Sequence, residues 1–231
     1  MGPWRAKMAR DWPRLVVNLK TYPEATGKRA VALARAARKI ESRTGTRMAL
    51  AAQAVDVRAC VEAGVLVYAQ HFDRTESSQT TGATRWESLV DAGVEGSILN
   101  HSERRLDVAH LRWCVERVKA ARKASLVCAR DDTEARRLAR LRPTLLAVEP
   151  PELIGGDVSV TSADPGIVRR AVERVHEVDK RLPVLCGAGV KNGKDAAAAR
   201  ALGSYGILVA SGVVKAARPE RAMAELAEAL R

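Results

Sequence analysis

Three side chains that can hold or move a proton lie just after short apolar runs of this chain. Lys20, His101 and Glu149 each follow such a run by no more than three residues. An ammonium group, an imidazole and a carboxylate can together stabilise negative charge, donate a hydrogen bond and remove a proton. The ends of buried strands are a usual place for catalytic groups, because a rigid scaffold holds them there. Each residue alone has an ordinary structural explanation, so only their joint placement at strand ends indicates a catalytic site.

The histidine stands in the string Asn100-His101-Ser102-Glu103, so a carboxylate, Glu103, follows it by two residues. An isolated histidine at a strand end is more often a hydrogen-bonded structural group than a catalytic one. We hypothesise that Glu103 and Lys20 pair across the site and orient one another. The string therefore predicts an acid–base group only if its partners come from other strands.

Glycine-rich and proline-rich loops follow the later apolar runs. Glu149 precedes two prolines, and the same loop ends in Gly155 and Gly156, a composition typical of a lid with a stiff start and a free hinge. The last two runs are followed by turns of small residues at 187–189 and 210–212. Small residues let a ligand approach backbone N–H groups, so these turns predict a phosphate site.

Apolar runs and helical segments alternate from end to end of the chain. The runs lack clear alternation, as expected for strands buried on both faces, and they span residues 14–17, 48–51, 66–69, 96–99, 125–128, 145–148, 184–185 and 206–209. Apolar residues near helical spacing predict helices at residues 27–43, 107–122, 131–140, 164–180 and 192–202. Four of these helices begin with good N-cap residues, namely Asp107, Asp131, Asp164 and Asn192.

Eight strand–helix units without a linker predict an α/β protein with one domain over residues 1–231, folded as a closed parallel (β/α)8 barrel. Residues 1–12 are expected to be an N-terminal extension. The alternative is an open doubly wound sheet, but no Gly-x-Gly-x-x-Gly turn follows the first run. A barrel would gather the carboxyl ends of all strands, and with them the candidate residues, on one face.

The composition narrows the classes of protein. The 231 residues are 47% hydrophobic but only 3% aromatic, which predicts a core of Val, Leu, Ile and Ala. Four cysteines without a Cys-x-x-Cys pair argue against a zinc site or a disulfide framework. Because no signal sequence or membrane-spanning run is visible, we expect a cytoplasmic protein without membrane contact. The net charge of +12 is spread over the predicted helices, which favours a solvated surface over a nucleic-acid interface.

Several strings at the strand ends match one family in the right order. The chain resembles triosephosphate isomerase in its compact archaeal form, from Val16 to about Pro219. The most specific strings are Asn-His-Ser-Glu-Arg-Arg at 100–105 and Glu-Pro-Pro-Glu-Leu-Ile-Gly at 149–155. Others are Asn-Leu-Lys-Thr-Tyr at 18–22, Tyr-Ala-Gln-His at 68–71, Leu-Cys-Gly-Ala-Gly-Val at 185–190 and Leu-Val-Ala-Ser-Gly-Val-Val-Lys at 208–215.

The resemblance implies a reaction and a role for each residue. Members interconvert dihydroxyacetone phosphate and glyceraldehyde 3-phosphate, a step of glycolysis and gluconeogenesis, with a glutamate base and a neutral histidine. The implied base is Glu149, the implied electrophile is His101, and the implied cation is Lys20, with Glu103 supporting it. The implied substrate-binding residues are Asn18 and Leu19 beside Lys20, Ile154 and Gly155 in the closing loop, and Gly189, Ala210 and Ser211 as backbone donors to the phosphate.

The resemblance implies neither a metal nor an organic cofactor, and it implies a homotetramer or a homodimer. The loop at residues 74–84 is the expected interface arm. One departure from the family is Gly156-Asp157-Val158-Ser159, which shortens the second hinge of the lid and adds an acid. Two alternatives stay open: a noncatalytic barrel that binds an anion or nucleic acid, and an isomerase of another sugar phosphate.

Overall fold

Eight parallel strands form a closed barrel in the computed structural model, which describes residues 12–75, 77, 79–150 and 166–231. The strands follow one another around the barrel in chain order, as β1 (Leu15–Asn18), β2 (Met48–Ala52), β3 (Leu66–Ala69), β4 (Gly96–Leu99), β5 (Ala124–Ala129), β6 (Leu145–Val148), β7 (Val184–Cys186) and β8 (Gly206–Val209). Because β1 pairs with both β2 and β8, the sheet has no free edge. The predicted (β/α)8 TIM barrel is confirmed.

Helices connect the strands and cover the outside of the barrel. In the described residues they are α1 (Lys28–Thr44), α2 (Val57–Glu62), α3 (Trp86–Asp91), α4 (Val108–Ala120), α5 (Asp132–Ala139), α6 (Gly166–His176), α7 (Gly193–Ala201), α8 (Ser211–Val214) and α9 (Pro219–Ala229), with short 3-10 turns at Pro23–Ala25 and Ala54–Asp56. The side chains of Asp107, Asp131 and Asn192 accept hydrogen bonds from amides of the first helical turn, as their N-cap positions predict. Asp164 and the predicted extension before Trp12 lie outside the described residues.

Apolar side chains pack in two layers, one inside the barrel and one between the strands and the helices. Tyr68 is buried inside the barrel and faces Gly96, where an added Cβ would lie 2.9 Å from the tyrosine ring. The outer layer is built mainly from Leu, Val, Ile and Ala, as the low aromatic content predicts. Both faces of each strand are thus filled, and the strand ends are left to carry polar groups.

The observed elements differ from the predicted ones at their ends, and the helices α2, α3, α8 and α9 were not predicted. Strand β1 is shifted by one residue and includes Asn18, β5 is one residue longer at each end, and β7 includes Cys186. Pairing with the neighbouring strand decides these ends, and a single apolar run does not show its partner. All four cysteines are free and buried. No described helix has both the length and the apolar composition that a membrane span requires.

Candidate active site

Lys20 is held just beyond β1 by its backbone and by an ion pair. Its φ of 46° lies in the left-handed region, which residues other than glycine rarely adopt. The side chain of Asn18 accepts a hydrogen bond from the Lys20 amide at 3.0 Å, and Gln70 Nε2 donates to the Lys20 carbonyl at 2.8 Å. The Lys20 ammonium group lies 2.7 Å from Oε1 of Glu103. The hypothesised pair is therefore present, and it joins the ends of β1 and β4.

The contacts of His101 fix which ring nitrogen carries the proton. The backbone amide of Glu103 donates a hydrogen bond to Nδ1 of His101 at 3.1 Å, so Nδ1 has no proton of its own. A carboxylate oxygen of Glu103 lies 3.6 Å from Nδ1, which is too far for a hydrogen bond. The other nitrogen, Nε2, lies 3.0 Å from Oε1 of Glu149. The geometry therefore requires a neutral imidazole that is protonated at Nε2.

Glu149 follows β6 directly and is almost completely buried, at 4% exposure. Its carboxylate lies 3.0 Å from Nε2 of His101 and accepts a hydrogen bond, at 3.4 Å, from the amide of Ser102. The thiol of Cys128 on β5 lies beside the carboxylate. Burial, and to a smaller extent the charge of Glu149, raise the pKa of this thiol well above its ordinary value, so it stays protonated. Residues from β4 and β5 thus hold the carboxylate in place.

The loop that carries His101 is clamped on both sides. Asn100 adopts a left-handed φ of 60°, its Nδ2 donates to the carbonyl of Cys128 at 2.9 Å, and its Oδ1 accepts from the amide of Leu106 at 2.9 Å. The guanidinium of Arg105 donates to the Asn100 carbonyl at 3.3 Å and forms an ion pair with the buried Glu134 of α5. These contacts fix the backbone from which His101 projects.

Gly187, just after β7, makes room for the Glu149 side chain. A Cβ at this position would lie 2.7 Å from Cγ of Glu149 and 3.0 Å from the carbonyl oxygen of Val148. The first of these distances is shorter than real Cβ contacts, so any larger residue would displace either the carboxylate or the strand. The glycine therefore belongs to the structure that positions Glu149.

The two turns of small residues expose backbone donors beside the barrel mouth. Gly189 has a left-handed φ of 71°. The amides of Gly189, Ala210 and Ser211 make no hydrogen bond to any residue that the structure describes. Leu19 differs, because it is fully buried and its amide donates to the carbonyl of Ala51 at 3.0 Å. Ile154 and Gly155, together with the altered hinge at Asp157, lie outside the described residues.

His71 lies apart from these groups, in a cluster beside the loop that follows β3. Its Nε2 is 3.3 Å from Oδ1 of Asp73, which also accepts a hydrogen bond from Arg104 at 2.8 Å. Burial and the charge of Arg104 lower the pKa of His71 to about 4. This position suits a structural or interfacial role.

Comparison with known proteins identifies the family. The sequence model described as triosephosphate isomerase matches residues 13–230. The chain belongs to the triosephosphate isomerase family. Triosephosphate isomerase of Methanocaldococcus jannaschii is 40% identical over 213 residues, which cover 92% of this chain and 97% of the relative. The enzyme of Cenarchaeum symbiosum is 43% identical over 223 residues, with coverage of 96% and 100%.

A solved structure agrees with the fold. The crystal structure of triosephosphate isomerase from Bartonella henselae superimposes with a TM-score of 0.73 and covers 94% of this chain and 98% of that one. At 18% identity this likeness concerns the fold alone. The archaeal relatives, in contrast, identify the chain as an isomerase of this family.

Three residues contribute to the site although no local pattern predicts a role for them there. Gln70 and Gly187 stand in strings that match the family, and their position beside strand ends is the available signal. Cys128 is buried, and its contact with Glu149 depends on the pairing of β5 with β6. No local pattern in the sequence indicates such a contact.

We predict that Gly187→Ala lowers isomerase activity roughly 100-fold, because a misplacement of about 1 Å at a reacting group has an effect of that size. The fold should survive. Gly193→Ala at the start of α7 is the matched control, since its Cβ would meet the flexible side chain of Glu225 at 3.1 Å. Activity assays with circular dichroism on both variants test this. Equal activities would show that the methyl group does not displace Glu149.

A second prediction concerns stability against acid. Because the pKa of His71 is lowered to about 4 in the folded protein, its imidazole stays neutral between about pH 6.5 and 4. The same imidazole in the unfolded chain takes up a proton below about pH 6.5. The free energy of unfolding should therefore fall as the pH drops from about 6.5 to 4. In the His71→Asn variant, this decrease in the free energy of unfolding should be smaller by up to about 3 kcal/mol. Urea unfolding at several pH values measures it, and parallel curves for both proteins would contradict it.

Proposed function

We propose that this enzyme interconverts dihydroxyacetone phosphate and D-glyceraldehyde 3-phosphate through an enediol or enediolate. The observation that carries the proposal is the distance of 3.0 Å between Oε1 of Glu149 and Nε2 of His101. A carboxylate that can take a proton and an imidazole that can donate a hydrogen bond thus lie within reach of one small substrate. The archaeal relatives bear the name of this activity.

In the proposed reaction, Glu149 removes a proton from the carbon next to the carbonyl group of the substrate. The electrons of that C–H bond form the carbon–carbon double bond, and the carbonyl electrons move to the oxygen. His101 Nε2–H donates to this oxygen, and it can move a proton between the two oxygens of the enediol. Glu149 then returns its proton to the neighbouring carbon. Electrons and protons balance without an oxidant, a metal or an organic cofactor.

The proposed role of Lys20 is to stabilise negative charge. Its ammonium group lies at the same end of the barrel as His101, and the Lys20 side chain is only 18% exposed. A cation in such a half-buried position stabilises an enediolate or a phosphate more strongly than it would in open water. Glu103 keeps the ammonium oriented, and Asn18 fixes the backbone of Lys20. Glu103 therefore acts through Lys20.

The phosphate of the substrate is proposed to bind the amides of Gly189, Ala210 and Ser211. These amides donate no hydrogen bond to any described residue, which supports the proposal, because backbone donors without partners can bind a phosphate. Small residues at these positions leave the backbone accessible. The contributions of Leu19, Ile154 and Gly155 rest on the family resemblance.

A substrate must break one contact of the resting site. Nε2 of His101 lies 3.0 Å from Oε1 of Glu149, so the substrate oxygen has to take the place of the carboxylate beside this nitrogen. The same exchange frees Glu149 to reach the carbon. The two side chains thus stay in contact until the substrate separates them. We place the enzyme in the cytoplasm, in glycolysis and gluconeogenesis, where the two triose phosphates are interconverted.

We predict that Glu149→Gln lowers turnover by several orders of magnitude, because the amide keeps the shape of the side chain but cannot take the proton. Glu173→Gln on α6 is the control, since Glu173 is exposed and remote from the carboxyl ends of the strands. A coupled assay in both directions, with no added metal, measures turnover. Unchanged turnover in Glu149→Gln would rule out this residue as the base.

We also propose a homodimer or homotetramer that uses residues 74–84 as an interface arm. Described residues at the tip of this loop, Gln79 to Gly82, are exposed, as an arm that contacts a second subunit requires. Light scattering should give two or four times the chain mass of 25.0 kDa. A mass of one chain at micromolar concentration would contradict the proposal.

A further inference from the structure

The charges at the proposed active site do not by themselves attract the proposed substrate. Glu103 and Glu149 are carboxylates, His101 is neutral, and Lys20 is paired with Glu103. The sum of these groups is one negative charge, while a triose phosphate arrives with a phosphate dianion. A further cation at the mouth of the barrel would offset this repulsion.

Lys215 is placed to supply that cation. Its ammonium group lies 4.5 Å from the centre of the Tyr22 ring, and the ammonium group of Lys20 lies 6.0 Å from the same centre. The two cations are therefore separated by at most the sum of these distances. Tyr22 is half-buried in the loop that follows Lys20, whereas Lys215 is exposed. The aromatic ring thus fixes a solvent-accessible lysine close to a proposed catalytic one.

The backbone of Lys215 connects it to the proposed phosphate donors. It directly follows α8, and its amide donates to the carbonyl of Ser211 at 3.0 Å. The short helix α8 thus has the proposed donors Ala210 and Ser211 at its start and Lys215 at its end. No carboxylate of a described residue lies within 4 Å of its ammonium group, so its charge is not neutralised by an ion pair.

We propose that Lys215, held over Tyr22, attracts the phosphate dianion of the incoming triose phosphate into the site. This inference rests on the proposed function. Lys215 is a positioning residue, because it acts on the arrival and binding of the phosphate and touches no reacting atom. Its removal should therefore change kcat/KM through KM and leave kcat nearly unaltered.

The size of the effect follows from Coulomb attraction. Across about 10 Å of water, one ammonium group attracts a dianion by an amount that corresponds to roughly a fourfold change in an equilibrium constant. Reversal of the charge at residue 215 doubles the change in interaction energy, which corresponds to roughly a 15-fold change in the equilibrium constant. The Debye length, beyond which exposed charges are largely screened from one another, is about 30 Å at 0.01 M salt and about 8 Å at 0.15 M. The attraction by Lys215 should therefore fade as salt is added.

The test compares Lys215→Gln and Lys215→Glu with the wild type at about 0.01 M and 0.2 M salt. At low salt we expect kcat/KM to fall roughly fourfold and 15-fold, with kcat within twofold of the wild type, and the gap should narrow at high salt. Lys180→Gln is the matched control, since Lys180 lines a cavity with Trp12 at the opposite end of the barrel. Unchanged kcat/KM at low salt, or a loss that is independent of salt, would overturn the proposal.

Variants of Tyr22 test the platform for the lysine. Tyr22→Phe keeps the ring and should behave as the wild type, whereas Tyr22→Leu releases the Lys215 side chain but keeps its charge and should lower kcat/KM at low salt by less than Lys215→Gln does. The double variant Tyr22→Leu with Lys215→Gln should lose little more than Lys215→Gln alone. Full additivity would show that Tyr22 does not act through Lys215.

A binding measurement separates this inference from the proposed function. Calorimetric titration with inorganic phosphate at low salt should give a dissociation constant roughly fourfold higher for Lys215→Gln than for the wild type. This result is expected whichever phosphorylated substrate the enzyme isomerises. Equal dissociation constants would overturn the role of Lys215, whereas a wild type that is inactive on triose phosphates would overturn the proposed reaction alone.

Discussion

Parallel pairing between β1 and β8 is the constraint on which the site depends. It closes the sheet, with Leu15 in register with Met48 on one side and with Ile207 on the other. Because all strands run in the same direction, their carboxyl ends form one ring of positions. Closure brings Lys20 within 2.7 Å of Glu103, although 83 residues separate them in the chain. In an open sheet β1 would be an edge strand and its end would lie three strands away from the end of β4.

Backbone contacts, more than side-chain packing, determine the chemistry of His101. The amide of Glu103 donates to Nδ1, and Asn100, directly before His101, has a left-handed φ of 60°. Both Lys20 and Asn100 adopt left-handed φ values, which cost free energy outside glycine and persist only where the surroundings enforce them. Such strain often marks functional sites, and here it lies beside the two residues that are proposed to face the substrate oxygens.

The sequence predicted the strands well because each is a short apolar run buried on both faces. It predicted the starts of α4, α5 and α7 because Asp107, Asp131 and Asn192 cap them locally. The short helices α2 and α3 carry too few residues for a helical period to appear, and they were not predicted. The Lys20–Glu103 pair could be predicted because both residues stand in the family strings. The Cys128 thiol and the Gln70 amide reach the site through the pairing of strands, and no local pattern in the sequence shows this pairing.

The proposed chemistry depends on a neutral His101 that is protonated at Nε2 and faces Glu149, the proposed base. Nitrogen-15 NMR of the imidazole of His101 in the wild type tests it most directly, with the His101→Gln variant to assign the signals. At neutral pH the account predicts an unprotonated Nδ1 and a protonated Nε2, as the hydrogen bond from the Glu103 amide requires. A proton on Nδ1, in either the other neutral tautomer or an imidazolium ring, would contradict it.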